Sequence, residues 1–230
     1  MSRIDDLSFK ILRSFTLLME AKSPDLWLHS LRVASLAVAL GRALDLSERA
    51  QLELEVAARL HDLGKLALPD VILGKGESLG EAETAAIRAH PVLGERILSP
   101  LPLTDEVRKA VRSHHERMSG EGYPDGLRGE EIPLGARIVA ICDAYDAMTN
   151  PRSYRPPKAT EKALVILIQD DGQQWDPRLT ETFVRVVRQE PSRTGPGLLS
   201  LDPVGFGTGR AGRGQSWPEL DGLMGGRGSR

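Results

Sequence analysis

Cysteine is nearly missing from this sequence. Cys142 is the only one in 230 residues, so no intramolecular disulfide can form and a reducing compartment suits the chain. Cys142 lies in an apolar helical run, where a thiol acts as a small buried hydrophobe rather than a nucleophile. Aromatic residues are scarce at 4%. No stretch sustains an apolar–polar alternation, so the main signals of β-strands are absent. Neither sign of charge prevails: 30 basic residues stand against 32 acidic ones, a net charge of −2. This balance gives no electrostatic reason to expect nucleic acid or an anionic membrane surface as a partner. The N-terminus lacks the apolar core and small-residue cleavage site of a secretory signal. The most apolar stretch, Val33 to Leu40, is broken by Ser35 and flanked by charge, too short to span a bilayer. A cytoplasmic protein is the simplest expectation.

What is present is helical pattern. Hydrophobic residues at 40% suffice for the core of one domain. Residues 4–21 read as an amphipathic helix with Leu7, Ile11, Phe15 and Leu18 on its apolar face. Ser23-Pro24 starts a second helix that carries Leu28, Leu31, Ala34, Leu36 and Val38 and presents His29. Ser47 starts a third, which runs to His61-Asp62, with Gly64 where a C-terminal cap would fall. Ser78 to Glu81 fits a capping box for a helix reaching His90, where Pro91 must kink or restart it. Thr104 caps a helix that delivers His114 and His115. Leu134 to Met148 is apolar and helical, Thr160 opens a helix ended by Gly172, and Asp176-Pro177 opens the last. The expected architecture is all-α, a compact array of roughly seven to nine helices. From Pro191 onward Gly, Arg, Pro and Ser dominate and there is little to bury, so a disordered tail is expected. Its short Gly-Arg pieces look like nucleic-acid-binding segments but are brief, and a plain flexible tail is favoured.

The chemistry concentrates in His29, His61, His90, His114 and His115. A lone histidine on a helix is more often structural than a ligand. This set leaves none over for the surface helices or the tail, and two members sit in His61-Asp62 and His114-His115. Imidazole with carboxylate suits Fe, Mn or Zn, and the absence of thiolates argues against a structural zinc site. Five histidines with Asp62 and Asp143 are too many for one ion and suit two ions with a bridging carboxylate. Two ions about 3.5–4 Å apart can clamp both oxygens of an in-line phosphoryl displacement and turn water into a nucleophile near neutral pH. Lys65, one turn after His61, could hold a phosphate beside the metals, or be only a solvated lysine at a helix end. A glycine-rich loop with Gly122-Tyr123-Pro124 can shape a pocket. Beyond it come Asp146 and two arginines, Arg152 and Arg155, suited to phosphate.

His61-Asp62-Leu63-Gly64-Lys65 resembles the signature of the HD-domain phosphohydrolases. His114-His115-Glu116, then Gly122-Tyr123-Pro124 and Asp143 to Thr149, resemble the HD-GYP subfamily. The likeness covers about Pro24 to Val187. It implies an N-terminal helix over 1–22 packed on a catalytic domain over 23–190, with the tail over 191–230. It further implies a cyclic di-GMP phosphodiesterase forming pGpG, with a second cut to GMP left open, at a two- or three-metal site of Fe or Mn. Implied metal ligands are His29, His61, Asp62, His90, His114, His115 and Asp143, with Asp62 bridging. Asp62 and Lys65 are the implied catalytic residues. Tyr123, Asp146, Arg152 and Arg155 are the implied substrate-binding ones, although Asp146 also fits a supporting carboxylate. GGDEF-type or other signalling proteins are the implied protein partners. Two features depart from the family. Met118-Ser119-Gly120-Glu121 replaces its usual aromatic and acidic run before the Gly-Tyr-Pro triplet. Asp25 stands where three-metal members have glutamate, so the third ion is open. A catalytically silent binding module and a hydrolase for another cyclic nucleotide remain as alternatives.

Overall fold

A computed structural model describes residues 3–73, 75, 79–151 and 156–189, with side chains from residue 10 onward. Ser78, Arg152, Arg155 and the tail from 191 lie outside the described residues. Among the described residues there are ten α-helices and no named strand. They are α1 Arg3–Lys22, α2 Pro24–Ala43, α3 Glu48–Leu60, α4 Asp70–Leu73, α5 Glu81–Arg88, α6 His90–Leu98, α7 Asp105–Ser113, α8 Leu134–Thr149, α9 Thr160–Gln169 and α10 Pro177–Gln189. Two 3-10 turns, Leu63–Ala67 and Gly129–Glu131, complete the set. The all-α expectation holds. The helix number exceeds seven to nine because α4 is a single turn and Pro91 restarts the chain as α6 rather than kinking it.

Local chemistry explains most boundaries. Ser23 is the N-cap of α2 and accepts the Leu26 N–H at 3.4 Å, with Pro24 in the first turn. Ser47 does the same for α3 through Ala50 N–H at 3.2 Å. At α5 the cap falls on Gly80, whose N–H is held by the Glu83 carboxylate at 3.0 Å. Thr104 occupies the N-cap position of α7, but its hydroxyl makes no hydrogen bond to the helix.

Two apolar cores lie on either side of α2 and α3. One joins Val33, Ala37 and Leu40 of α2 with Ala58 of α3, Ile138, Ile141 and Tyr145 of α8, Leu164 and Leu167 of α9, and Phe183 of α10. The other joins Leu12 and Met19 of α1 with Trp27 of α2, Leu60 of α3, Leu98 of α6, and Val107 and Val111 of α7. α2 is therefore buried nearly all round, which a helix without a continuous polar face permits. Cys142 is fully buried, and burial pushes its thiol well above the ordinary range. On α1 the most buried positions are Leu12, Thr16 and Met19, while Leu18 is 55% exposed. The buried stripe thus runs one residue beyond the expected Ile11–Phe15–Leu18 face, because the helix rolls to seat Met19 in the second core.

Candidate metal centre

The centre is built from helix ends. His61 follows the last residue of α3, His90 opens α6, and His114 follows the last residue of α7. All three use one device: Nδ1 lies 2.7 Å from the carbonyl oxygen three residues earlier, at Ala58, Ile87 and Val111 respectively. A carbonyl only accepts, so Nδ1 carries the proton and Nε2 is left with a free lone pair. The bonds satisfy end-of-helix carbonyls and aim the rings inward. The Nε2 atoms of His90 and His114 are 3.2 Å apart, and with both protons on Nδ1 no hydrogen bond joins them. Two lone pairs at that separation repel unless a cation lies between or beside them.

Asp62 ties the rings together. Its Oδ1 is 3.1 Å from His90 Nε2 and 4.0 Å from His114 Nε2. Its Oδ2 is 3.5 Å from His61 Nε2, 3.9 Å from His29 Nε2 and 2.7 Å from Lys65 Nζ. Asp62, His90, His114 and His115 form one convergent donor group, and His29, His61 and Asp143 a second. The donor atoms of each group lie within 4.8 Å of one another. Buried His61 Nε2 and Asp62 Oδ1 have no hydrogen-bond partner, a costly arrangement unless something else satisfies them. The residues therefore fit a metal.

The electrostatics agree. Burial lowers the pKa of His61, lowers that of His114 well below its ordinary range, and pulls His115 down to about 3, which keeps these imidazoles neutral. Burial pushes Asp62 up, but the Lys65 ammonium leads the opposing causes and its carboxyl is held well below the usual range. Asp143 behaves alike, with its hydrogen bond to His29 overcoming burial.

His29 differs. Nε2 is 3.0 Å from Asp143 Oδ1 and Nδ1 is 2.6 Å from Asp146 Oδ2. Burial lowers its pKa, yet these two carboxylates outweigh burial and raise it to about 9. Without a metal it is an imidazolium between two acids. After loss of the Nε2 proton, Nδ1–H can still donate to Asp146. Asp146 is 1% exposed. Arg32 grips both its oxygens, Nε to Oδ1 at 2.6 Å and Nη2 to Oδ2 at 3.0 Å, and Asn150 Nδ2 donates to Oδ1 at 2.8 Å. Arg32 escaped the sequence reading; its spacing three residues after His29 puts both on one helix face and was the available signal.

The Tyr123 ring stacks on His115, centroids 4.8 Å apart at 26°, and the Arg88 guanidinium lies 5.2 Å from the centre of the same ring. Burial raises the Tyr123 phenol pKa, so it stays protonated. Upstream, the loop is held by its backbone: Met118 and Ser119 N–H donate to the carbonyls of Gln174 and Gln173 at 3.4 and 2.9 Å. The run that departs from the family pattern is thus anchored without its usual side chains.

Two glycines are set by close approach. A Cβ on Gly64 would fall 1.9 Å from His90 O, and one on Gly122 2.4 Å from Glu116 Cα. Gly64 lies inside the Leu63–Ala67 turn and does not cap α3, contrary to the sequence expectation. Its bare face lets that turn sit against the start of α6, next to His90. Asp25 is exposed in the first turn of α2 and belongs to neither donor group. Thus His29, His61, Asp62, His90, His114, His115 and Asp143 converge. Lys65 borders them at Asp62, Tyr123 at His115, and Asp146 sits behind His29.

Residues 13–179 match the HD domain family, and the chain belongs to that family, in the HD-GYP branch its motifs resemble. It is 34% identical over 187 residues to the cyclic di-GMP phosphodiesterase of Thermotoga maritima, a match covering 80% of this chain and 51% of that protein. It is 38% identical over 167 residues to 3′3′-cGAMP-specific phosphodiesterase 3 of Vibrio cholerae, covering 73% of this chain and 36% of that protein. Among solved structures, a cyclic GMP-AMP-specific phosphodiesterase of V. cholerae superposes with a TM-score of 0.62 at 22% identity, covering 85% of this chain and 51% of that one. That likeness shows the fold. The chain spans about half the length, or less, of the curated relatives it matches.

Proposed function

We propose that the chain is a metal-dependent phosphodiesterase that opens cyclic di-GMP to pGpG, with a second cut to GMP left open. The observation that carries this is Asp62, whose two oxygens face the two donor groups, as a carboxylate shared by two ions would. His90, His114 and His115 would hold one ion, and His29, His61 and Asp143 the other. Imidazole and carboxylate donors without thiolate suit iron or manganese. Divalent ions bound there supply Lewis acidity toward the phosphate and make water nucleophilic near neutral pH.

The remaining roles fall to the chain's own side chains. Lys65, fixed by Asp62 at the edge of the donors and partly exposed, presents a cation to a phosphate oxygen. Tyr123 walls the pocket beside His115. Asp146, with both oxygens engaged, orients His29 rather than touching substrate. Arg152 and Arg155, outside the described residues, are proposed to hold the phosphates. Neutralising charge on the equatorial oxygens is the main electrostatic contribution asked of these cations. GGDEF-type signalling proteins as partners and a cytoplasmic location belong to the same reading. The lone cysteine supports the latter, and no helix among the described residues is long and apolar enough to cross a membrane.

A second substrate, 3′3′-cGAMP, is favoured by the relative named for it. Purified protein with manganese, or ferrous iron without oxygen, is to be offered both cyclic dinucleotides, with chromatography of the products and Asp62→Ala as control. pGpG or GMP from the wild type alone supports the proposal. Cleavage of 3′3′-cGAMP alone moves the substrate, and full turnover by Asp62→Ala refutes the site.

A further inference from the structure

Glu116 directly follows His114 and His115 and is 4% exposed. Three consecutive backbone N–H groups of the loop after Tyr123-Pro124 meet its carboxylate. Asp125 and Gly126 donate to Oε1 at 2.7 and 3.1 Å, and Leu127 donates to Oε2 at 3.1 Å. The same loop rests on residue 116 from the other side, since a Cβ at Gly122 would meet Glu116 Cα and the Arg117 nitrogen, both at 2.4 Å. Between these two supports lies Tyr123, whose N–H donates to His115 O at 3.2 Å and whose ring stacks on His115. Arg112 closes the arrangement from outside with two bonds of 2.8 Å to the Asp125 carboxylate. None of these contacts uses an imidazole nitrogen or a carboxylate oxygen of the metal donors; the His115 oxygen engaged is its backbone carbonyl.

We propose that Glu116 is a positioning residue: its buried carboxylate sets the Tyr123 loop against His115 and so fixes the grip on substrate, while the donors at helix ends, His61, His90 and His114, are held independently. His61, His90 and His114 do not need the loop, because their Nδ1 anchors are carbonyls at helix ends; His115 is the donor that touches it, through Tyr123. Tyr123 does need it, because its place is set by the backbone on both sides. Glutamate is required by chemistry as well as length. Glutamine keeps one carbonyl oxygen for Asp125 and Gly126 but turns an amide N–H₂ toward the Leu127 N–H, donor against donor. Alanine removes every acceptor. This role in substrate grip rests on the phosphodiesterase reading above; the loop geometry does not.

The test uses the full chain with Glu116→Gln, Glu116→Ala, Tyr123→Ala and the Glu116→Ala/Tyr123→Ala double variant. Metal content per chain is expected to match the wild type in Glu116→Gln and Glu116→Ala. Amide exchange at residues 125–127 should quicken about tenfold or more in Glu116→Ala, with Gln keeping protection at Asp125 and Gly126 only. KM for cyclic di-GMP should rise about tenfold in Glu116→Ala with kcat within about twofold, and Glu116→Gln should recover part of it. Because Glu116 acts through Tyr123, the double variant should be no worse than the poorer single one by more than about twofold. Additive losses, unchanged loop exchange or metal loss in Glu116→Gln would each overturn the assignment. Should Glu116→Ala fail to fold, Glu116→Gln carries the exchange and kinetic comparison. If the wild type cleaves no cyclic dinucleotide, the proposed function falls by itself. The positioning role is then decided by exchange and metal content, and unchanged protection at 125–127 refutes it.

Discussion

Arg32→Ala removes the fork that holds Asp146, and with it the support behind His29. The lost bonds are Nε–Oδ1 at 2.6 Å and Nη2–Oδ2 at 3.0 Å. Water has little access to replace them, since Asp146 is 1% exposed. Breaking a buried ion pair costs about 3–5 kcal/mol when the survivor is left uncompensated. Here His29 and Asn150 still donate to the carboxylate, which brings the expected loss to about 2–3 kcal/mol. In a chain of this size each kcal/mol moves the melting temperature by about 2–4 °C, so the fall should be about 4–12 °C. Loss of a partner that orients a ligand typically weakens metal binding by about 10–100-fold. Two assays read these effects separately: thermal melting of the chelated protein by circular dichroism, and manganese titration by calorimetry. Arg32→Lys should recover only part of each, because an ammonium cannot span both oxygens as a planar fork does. Wild-type manganese affinity together with an unchanged melting temperature in Arg32→Ala would refute the support of His29 through Asp146.

Gly64→Ala tests close packing rather than charge. The new methyl would sit 1.9 Å from His90 O and 2.7 Å from Gly94 N, so α6 must move. A loss of about 1–3 kcal/mol or more is expected. Elemental analysis after dialysis should find weaker retention of metal, because His90 moves with the helix. Chelation of the wild type is a third perturbation. A metal present at a hundred times its dissociation constant stabilises by about 2.7 kcal/mol. Stripping it should therefore lower the melting temperature by about 5–11 °C; an unchanged melt, with metal loss verified, would argue against a bound ion in the folded protein.

Much of the molecule was legible because helix signals are local. Ser23-Pro24 and Ser47 mark their helices by side-chain capping and fixed φ, which need no distant partner. That the five histidines would converge with Asp62 and Asp143 was legible for another reason: histidine is scarce, with five in the chain, and pairing with aspartate narrows its uses. Which face of a helix turns inward is not encoded locally. Leu18 is exposed although its spacing matches Phe15, since the roll of α1 follows the shape of the second core. Gly64 read as a cap because a glycine after a helix usually is one. Its actual constraint, the His90 carbonyl, is 26 residues away in sequence and invisible to local pattern.

The sequence by itself determined the helical class, the caps at Ser23 and Ser47 and the candidate donor types, since these depend on side-chain chemistry and on neighbours within a turn or two. Only the tertiary structure decided that the donors fall into two groups with Asp62 between them, that Arg32 stands behind Asp146, and that Glu116 carries the Tyr123 loop. These are relations between groups that are distant in sequence or set by loop geometry. Arg32 and Asp146 lie 114 residues apart, and their meeting follows from how α2 packs on α8 around a shared core, which no single segment encodes.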